Sequence, residues 1–338
     1  MSTVSIINKL ENKTDLDRNE IKEFMTSVFN GDVQEDELTN VLILLNNKGI
    51  TSDELTGCAQ SMRQVSKKVS TKYQTIDNCG TGGDGIGTFN ISTASSFIAA
   101  SCGVHIAKHG NKAITSSSGS ADLLMEAGAN IDLLPEQISK CIDKINFGFM
   151  FAPLHHQAMK HVVGSRKKIA PKKTIFNLLG PLTNPAESKI QLIGVYSKEK
   201  IELVAESLKN LGTNRAMIVH SEDGLDEISI FSKTHVAEIK DSNINYYTID
   251  PNDYFSNEGS LQDLIVKETR DSLSMVCSVF DNKEGPALNI CLINAAALLY
   301  LSGKESTLKQ AIKVCKESII KGKVKQKFLD YIEFTKHL

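Results

Sequence analysis

A glycine-rich segment has the composition of a loop that binds phosphate. Residues 77–93 read Asp-Asn-Cys-Gly-Thr-Gly-Gly-Asp-Gly-Ile-Gly-Thr-Phe-Asn-Ile-Ser-Thr, between a strand-like run at 73–76 and a helix-like run at 92–102. Glycine tolerates positive φ and lets a ligand approach the backbone amides, and the N-terminus of the following helix adds partial positive charge. We therefore expect this loop to bind a phosphate or diphosphate, with Asn90, Ser92 and Thr93 contributing polar side chains.

Two common phosphate loops do not fit this segment. The P-loop ends in Gly-Lys-Ser/Thr, which is absent here. Gly80-x-Gly82-x-x-Gly85 has the letters of a dinucleotide fingerprint, but His105 and Lys108 stand where an acidic residue about 20 positions on is needed. On the glycine pattern alone, a wide turn without a ligand remains the alternative.

Two more polar segments follow the predicted strand at 104–107. Lys108-His109-Gly110-Asn111 comes directly after it, where side chains at the carboxyl end of a parallel strand face a ligand crevice. Residues 115–122, Thr-Ser-Ser-Ser-Gly-Ser-Ala-Asp, place hydroxyls and free amides before a predicted helix, which favours a second anion site. A surface turn and a solvated serine loop are the alternatives that leave these segments without a ligand.

Charged residues suggest a metal site and a carboxylate site. Asp226 and Glu227 are adjacent in a loop after the predicted strand ending at His220, and Mg²⁺ favours a few carboxylates completed by water and substrate phosphates. Solvated acids are the alternative. The basic run at 159–173 is expected to be a solvated face, except that the guanidinium of Arg166 could hold a carboxylate through two parallel hydrogen bonds.

The composition is that of a soluble globular protein. The chain has 338 residues, 41% hydrophobic and 23% charged, and its net charge of −2 does not favour binding to nucleic acid or to an anionic membrane. Seven scattered cysteines without a Cys-x-x-Cys pair predict reduced thiols and a cytoplasmic location. The most apolar stretch, residues 290–301, is too short to span a bilayer and is expected to form a buried helix.

The elements that must position these residues change type near residue 70. Residues 1–70 are predicted to be helical, with capping-box starts at Asp17 and Thr51. From residue 73 onward, strands alternate with helices, which predicts a mostly parallel central sheet in a large α/β domain at 73–338. We place the boundary at the basic connector 67–72, and expect part of 165–190 to pack on the helical domain. Residues 176–185 read as a rigid connector or hinge.

Six segments, in order between residues 80 and 227, together resemble the anthranilate phosphoribosyltransferases, and Lys48-Gly49-x-Thr51 and Met62-Arg63 extend the resemblance into the helical region. The six segments are Gly80-Thr81-Gly82-Gly83-Asp84, Thr88-Phe89-Asn90-Ile91-Ser92-Thr93, Lys108-His109-Gly110-Asn111, Ser118-Gly119-Ser120-Ala121-Asp122, residues 176–185 and Gly224-Leu225-Asp226-Glu227. The resemblance implies a nucleoside phosphorylase/phosphoribosyltransferase fold. It also implies transfer of a phosphoribosyl group from 5-phosphoribosyl 1-diphosphate (PRPP) to the amine of anthranilate, in tryptophan biosynthesis.

The resemblance further implies roles for individual residues. No residue is expected to form a covalent intermediate, and Mg²⁺, as two ions, would be bound by Ser92, Asp226 and Glu227. Anthranilate would contact Gly80, Asn111 and Arg166, close to His109. A homodimer formed through the helical domains is also implied. PRPP would be held by Gly80, Gly83, Asp84, Thr88, Asn90, Ile91, Ser92, Thr93, Lys108, His109, Gly110, Asn111, Lys112, Ala113, Ile114, Thr115, Ser116 and Ser120.

The chain departs from the family pattern at two places. Ser117 stands where the family commonly has lysine. Between Arg166 and Thr174 the chain is one residue longer than usual, with Pro171 in the insertion, so that counting back from Thr174 selects Lys167 as the family arginine. Because lysine cannot reproduce the two-pronged contact, we assign the role to Arg166. Two other functions remain open on this sequence: a pyrimidine nucleoside phosphorylase and a non-catalytic, nucleic-acid-binding relative.

Overall fold

The computed structural model describes residues 2–113, 118–256 and 259–338. It begins with four helices, α1 (Thr3–Glu11), α2 (Arg18–Asn30), α3 (Glu35–Lys48) and α4 (Ser52–Val65). The predicted capping boxes are present at Asp17 and Thr51, and Gly31 ends α2 in the left-handed conformation. The side chains of Lys48 and Glu54 form a buried ion pair at 3.1 Å that ties α3 to the start of α4.

Seven strands among the described residues form one sheet. In chain order they are β1 (Ile76–Asn78), β2 (Ile106–Gly110), β3 (Phe147–Phe151), β4 (Ile190–Gly194), β5 (Arg215–Ser221), β6 (Thr234–Lys240) and β7 (Asn243–Ile249). The spatial order is β3-β2-β1-β4-β5-β6-β7, in which the first five strands are parallel and the last two pair antiparallel. This confirms the predicted fold class of a small helical domain plus a large α/β domain.

The strand order has a switch point between β1 and β4. From β1 the chain builds outward through β2 and β3, and then returns to add β4 and β5 on the other side of β1. Connections that diverge in this way leave a crevice at the carboxyl ends of the two central strands, where ligands bind in open α/β sheets. The glycine-rich segment begins at that end of β1.

The remaining helices cover both faces of the sheet. They are α5 (Ile91–Ser101), α6 (Ser120–Glu126), α7 (Pro135–Ile145), α8 (Ala152–His155), α9 (Val163–Ile169), α10 (Phe176–Leu182), α11 (Lys200–Asn210), α12 (Thr269–Phe280), α13 (Pro286–Leu301), α14 (Leu308–Ile320) and α15 (Lys323–Lys336), with short 3₁₀ turns at Gln157–His161, Pro251–Asp253 and Leu261–Leu264. Throughout the described ranges, no helix combines the length and apolar character that crossing a membrane requires.

Two hydrophobic cores share the sheet. Because side chains alternate between the faces of a strand, Leu192 lies in the core built around α5 and α13, while its neighbour Ile193 lies in the core of the helical bundle. The bundle core also includes Val162, Ile169 and Phe176 from the segment that contains α9 and α10. That segment therefore connects the helical bundle to the face of the sheet beside the switch point. The residue limits of the two domains stay a prediction.

Three elements differ from the sequence predictions. The predicted strand-like run covers residues 73–76, whereas β1 begins only at Ile76 and continues through the buried polar residues Asp77 and Asn78. Residues 176–182 form a helix instead of the predicted connector. Pro181 lies in its last turn, and because the helix ends one residue later, the missing N–H of Pro181 does not interrupt a longer helix. At the C-terminus the sequence predicts one helix over 306–334, whereas Gly322, whose φ is +70°, divides this segment into α14 and α15.

Candidate active site

The glycine loop leaves β1 and is attached to β4 by backbone hydrogen bonds. The N–H of Cys79 donates to the carbonyl of Leu192 at 3.2 Å, and that of Thr81 donates to the carbonyl of Gly194 at 2.8 Å. Four later glycines of the loop have positive φ, which explains why the sequence needs glycine there; they are Gly82, Gly83, Gly85 and Gly87. The loop thus lies at the switch point, and beyond Thr81 the amides of residues 82–87 are not paired with a strand.

Asp226 packs directly beneath this loop. Its Oδ2 accepts the N–H of Gly82 at 3.0 Å. A Cβ on Gly80 would come within 2.5 Å of the same oxygen, and a Cβ on Gly194 would overlap the carbonyl of Asp226. Both glycines are therefore required by the close approach of the acidic loop to the carboxyl ends of β1 and β4.

Burial and the charges of neighbouring acids disfavour ionisation of both members of the acidic pair. Burial, followed by the charge of Asp84, raises the pKa of Asp226 to about 7. Burial and the charge of Asp226 raise the pKa of Glu227 well above its usual value. Within the described ranges, no three His, Cys, Asp or Glu side chains form a complete metal-binding group. The pair still suits Mg²⁺, which accepts a few protein carboxylates and takes its other ligands from water and phosphate.

Three of the predicted residues converge around Lys108. Its side chain is only 2% exposed, and its Nζ donates to the carbonyl of Asn78 and to Ser92 Oγ at 3.2 Å. The backbone N–H of Ser92, in the first turn of α5, donates to Glu227, whose pKa the Lys108 charge also lowers. A buried cation, a hydroxyl and a carboxylate therefore meet where α5 begins.

Asn90 joins the start of α5 to two distant segments. Its Oδ1 accepts the hydroxyls of Ser118 at 2.8 Å and Ser272 at 2.7 Å, and its Nδ2 donates to the carbonyl of Ser118 at 3.2 Å. The side chains of Ile91 and Thr93 are buried, so that neither side chain is available to a ligand, and the N–H of Ile91 donates to the carbonyl of Phe89 at 2.7 Å. Thr88 lies beside the loop and forms an isolated bridge with Ile265.

Asp122 binds the described residues on either side of the second predicted phosphate loop. Its Oδ2 accepts the N–H groups of Ala113 at 2.7 Å and Gly119 at 3.0 Å. A Cβ on Gly110 would overlap the hydroxyl of Ser120, which shows how closely the end of β2 approaches α6. Asn111 and Lys112 are exposed at this end of β2, next to the same turn. The predicted residues Ile114, Thr115 and Ser116, and also Ser117, lie outside the described residues.

His109 is buried and neutral. Burial and the neighbouring His156 hold the pKa of its imidazole well below the usual value. Its Nδ1 lies 3.0 Å from the carbonyl of Gly180, so that the neutral ring must carry its proton on Nδ1 and leave Nε2 as an acceptor. Its backbone N–H donates to Asp77, whose pKa is raised to about 6 by burial.

Arg166 lies on α9, which packs against α3 through the hydrogen bond from Ser165 Oγ to the carbonyl of Glu35 at 2.9 Å. Arg166 is half-buried, burial lowers its pKa, and within the described part of the chain its guanidinium has no hydrogen-bonding or ionic partner. Lys167 is exposed. No described contact links Arg166 to the glycine loop, so the structure leaves the assignment of Arg166 to anthranilate as a prediction.

Four residues near the site were not found from the sequence. Asp77 supports the backbone of His109, Ser272 holds Asn90, and Lys173 and Tyr196 contact the glycine loop. Ser272 lies 182 positions from Asn90. No local spacing relates partners so far apart, and Lys173 stands in a basic run that resembles an ordinary solvated face.

The chain matches two family models, one for each part of the fold. "Glycosyl transferase family, helical bundle domain" covers residues 4–66, and "Glycosyl transferase family, a/b domain" covers residues 72–325. Together with a glycine loop and an acid pair at the switch point, these matches define the chain as a member of the class of glycosyl-transferring enzymes.

Full-length relatives narrow this class. The anthranilate phosphoribosyltransferase of Hydrogenovibrio crunogenus is 43% identical, over 97% of both chains. The structure of anthranilate phosphoribosyltransferase from Thermus thermophilus superposes with a TM-score of 0.92 at 32% identity, over 98% of this chain and 99% of that one. That of the Saccharomyces cerevisiae enzyme in complex with PRPP and Mg has a TM-score of 0.91 at 26% identity, over 99% and 98%. The chain belongs to the anthranilate phosphoribosyltransferase family, which confirms the resemblance seen in its motifs.

Proposed function

We propose that this protein transfers the phosphoribosyl group of PRPP to the amino nitrogen of anthranilate, giving N-(5-phosphoribosyl)anthranilate and diphosphate in tryptophan biosynthesis. The observation that carries the proposal is the half-buried pair Asp226 and Glu227, of which Asp226 packs beneath the glycine loop at the switch point of the sheet. Family membership supports the same reaction. A phosphorylase and a nucleic-acid-binding protein are not favoured, because the full-length relatives share one name and the acid pair is intact.

The leaving diphosphate sets the main electrostatic demand. The glycine-loop amides, the N-terminus of α5 and the buried ammonium of Lys108 offer positive charge on one side of the crevice. We assign the PRPP contacts to the residues expected from the sequence, with Ile91 and Thr93 contributing through the backbone alone. Lys108 is held by Asn78 and Ser92 before any ligand binds, so that little reorganisation is needed when charge develops.

Magnesium fits the acidic side of the crevice. Asp226, Glu227 and Ser92 would hold it, as two ions per site, and it would supply charge neutralisation to the diphosphate oxygens. The pKa values of the two acids are raised by burial and by the charges of neighbouring acids, and bound Mg²⁺ would relieve both effects.

The amine acceptor needs positioning more than activation. Anthranilate is a neutral aromatic amine at its nucleophilic nitrogen, so no residue of the chain has to form a covalent intermediate. We place its carboxylate against Arg166 and its ring near Gly80, Asn111 and the neutral His109. Holding the nitrogen close to the anomeric carbon can supply a large share of the rate enhancement.

The finer assignments concern assembly and location. We propose a homodimer formed through the helical bundle, supported by the exposed apolar side chains Val4 on α1 and Ile43 on α3. Light scattering coupled to size exclusion tests it. We propose a cytoplasmic location, supported by the seven cysteines, all of which are free thiols.

Anthranilate fluorescence tests the reaction. The signal of anthranilate should fall when purified protein, PRPP and Mg²⁺ are all present. It should stay constant when PRPP is omitted or when EDTA removes the metal. A constant signal with all components present, under conditions where PRPP binds, would exclude anthranilate as the acceptor.

A further inference from the structure

Lys173 has its backbone on the helical side of the molecule. It lies between α9 and α10, whose apolar residues share the core of the helical bundle. The side-chain amide of Asn46, on α3, donates a hydrogen bond to the carbonyl of Lys173 at 2.8 Å. The main chain at Lys173 is therefore fixed to the bundle.

The side chain of Lys173 reaches the glycine loop of the α/β domain. Its Nζ donates to the carbonyl of Gly83 at 2.8 Å and lies 3.5 Å from the centroid of the Tyr196 ring. The N–H of Tyr196 in turn donates to Thr81 Oγ1 at 3.0 Å. Lys173 and Tyr196 thus each donate a hydrogen bond to the loop, at Gly83 and Thr81, and the cation–π contact joins the two side chains to each other.

The neighbouring Lys172 does not make the contacts that Lys173 makes. Both lysines are exposed, but within the described part of the chain the ammonium group of Lys172 forms no hydrogen bond or ion pair. The amino group of Lys173 instead lies within the electrostatic range of Asp84 and Asp226. A positive charge directed at a loop bordered by carboxylates is specific to position 173.

We propose that Lys173 is a positioning residue that links the helical bundle to the glycine loop and pre-orders the loop for PRPP. That the ligand is PRPP rests on the proposed function, whereas the contacts of Lys173 with the loop do not depend on it. A loop with positive φ at four glycines has high conformational entropy when free, so that each fixed contact lowers the entropy lost when the anion binds. Lys173 acts through Gly83 and need not touch the substrate.

Three variants separate this role from a general loss of charge. Lys173→Met keeps an apolar stem of similar length against Tyr196 but removes the donor. Lys173→Arg keeps both the donor and the stacking surface. Lys172→Met removes the adjacent charge and serves as the matched control.

Two measurements are made on each variant. Hydrogen exchange of the loop amides at 82–87 reports loop order without any ligand. Calorimetric titration with PRPP and Mg²⁺ reports affinity, and the KM for PRPP is compared with kcat. We expect Lys173→Met to exchange faster in the loop and to bind PRPP about tenfold more weakly, the effect of losing one charge-assisted hydrogen bond, with kcat much less affected. Lys173→Arg should recover most of both, and Lys172→Met should match the wild type.

Loop exchange and PRPP affinity unchanged in Lys173→Met would overturn the proposal. So would a lower melting temperature in both Lys173 variants with no recovery by arginine, since that pattern marks a purely structural contact. If the wild type binds no PRPP, the proposed function fails, and the exchange data still decide whether Lys173 orders the loop.

Discussion

Arg166 gives the most discriminating substitution. It is half-buried on α9 without a partner in the described part of the chain, and burial already lowers its pKa. A carboxylate that accepts two parallel hydrogen bonds from the guanidinium relieves this cost. Removing such a pair corresponds to about 3 kcal/mol, or roughly a hundredfold loss of affinity. Arg166→Ala should therefore raise the KM for anthranilate about a hundredfold, while the KM for PRPP stays unchanged.

The assay is steady-state anthranilate consumption, measured by fluorescence with each substrate varied in turn. Lys167→Ala is the matched control, because Lys167 is adjacent and exposed. Arg166→Lys should recover only part of the loss, since an ammonium group cannot form the planar two-pronged contact. The melting temperature of Arg166→Ala should not fall, because the change removes an unpaired charge. A large effect of Lys167→Ala with a small one of Arg166→Ala would refute the assignment and shift the family arginine by one position.

Three further substitutions address the interior of the site. Joint replacement of Asp226 by Asn and Glu227 by Gln should reduce kcat/KM by about 10³-fold or more and abolish its dependence on added Mg²⁺, with the melting temperature retained; activity near the wild type would contradict the metal assignment. Asp77→Asn tests linkage: burial raises the pKa of Asp77 to about 6 from 3.8, so its ionisation destabilises the fold above pH 6. The variant should gain about 3 kcal/mol in unfolding free energy at pH 8 and lose this advantage towards pH 4, and a pH-independent difference in chemical denaturation would refute it. Gly194→Ala should abolish turnover by displacing Asp226, whose carbonyl a Cβ would overlap; normal kinetics would show that the acidic loop can shift without consequence.

Much of the fold follows from local patterns. Helix limits depend on interactions within one turn, so the spacing of the residues predicts them. Examples are the capping boxes at Asp17 and Thr51 and the glycine at position 31. The break at Gly322 is not predicted, because a single glycine within a long helical pattern of polar and apolar residues does not indicate that its φ is positive. Local sequence patterns also do not predict α12. Its side chains meet their partners only after folding, as Ser272 does with Asn90.

The site divides in the same way. The glycine loop, Lys108 and the acid pair each have a chemical type and a position after a strand that indicate their use. Contacts between residues of the two cores cannot be predicted from residue type or local position. Lys173 looks like part of a solvated basic run until α10 and the bundle place it beside Gly83. Asp77 looks like a strand-end acid until its burial beneath His109 is seen.

In the proposed reaction, diphosphate leaves as the amine of anthranilate attacks. Phosphorus NMR of a reaction containing the protein, PRPP, anthranilate and Mg²⁺ measures this directly. We expect one diphosphate to appear for each anthranilate consumed, and none after EDTA is added. Release of inorganic phosphate in place of diphosphate, or diphosphate formation independent of anthranilate, would contradict the proposed reaction.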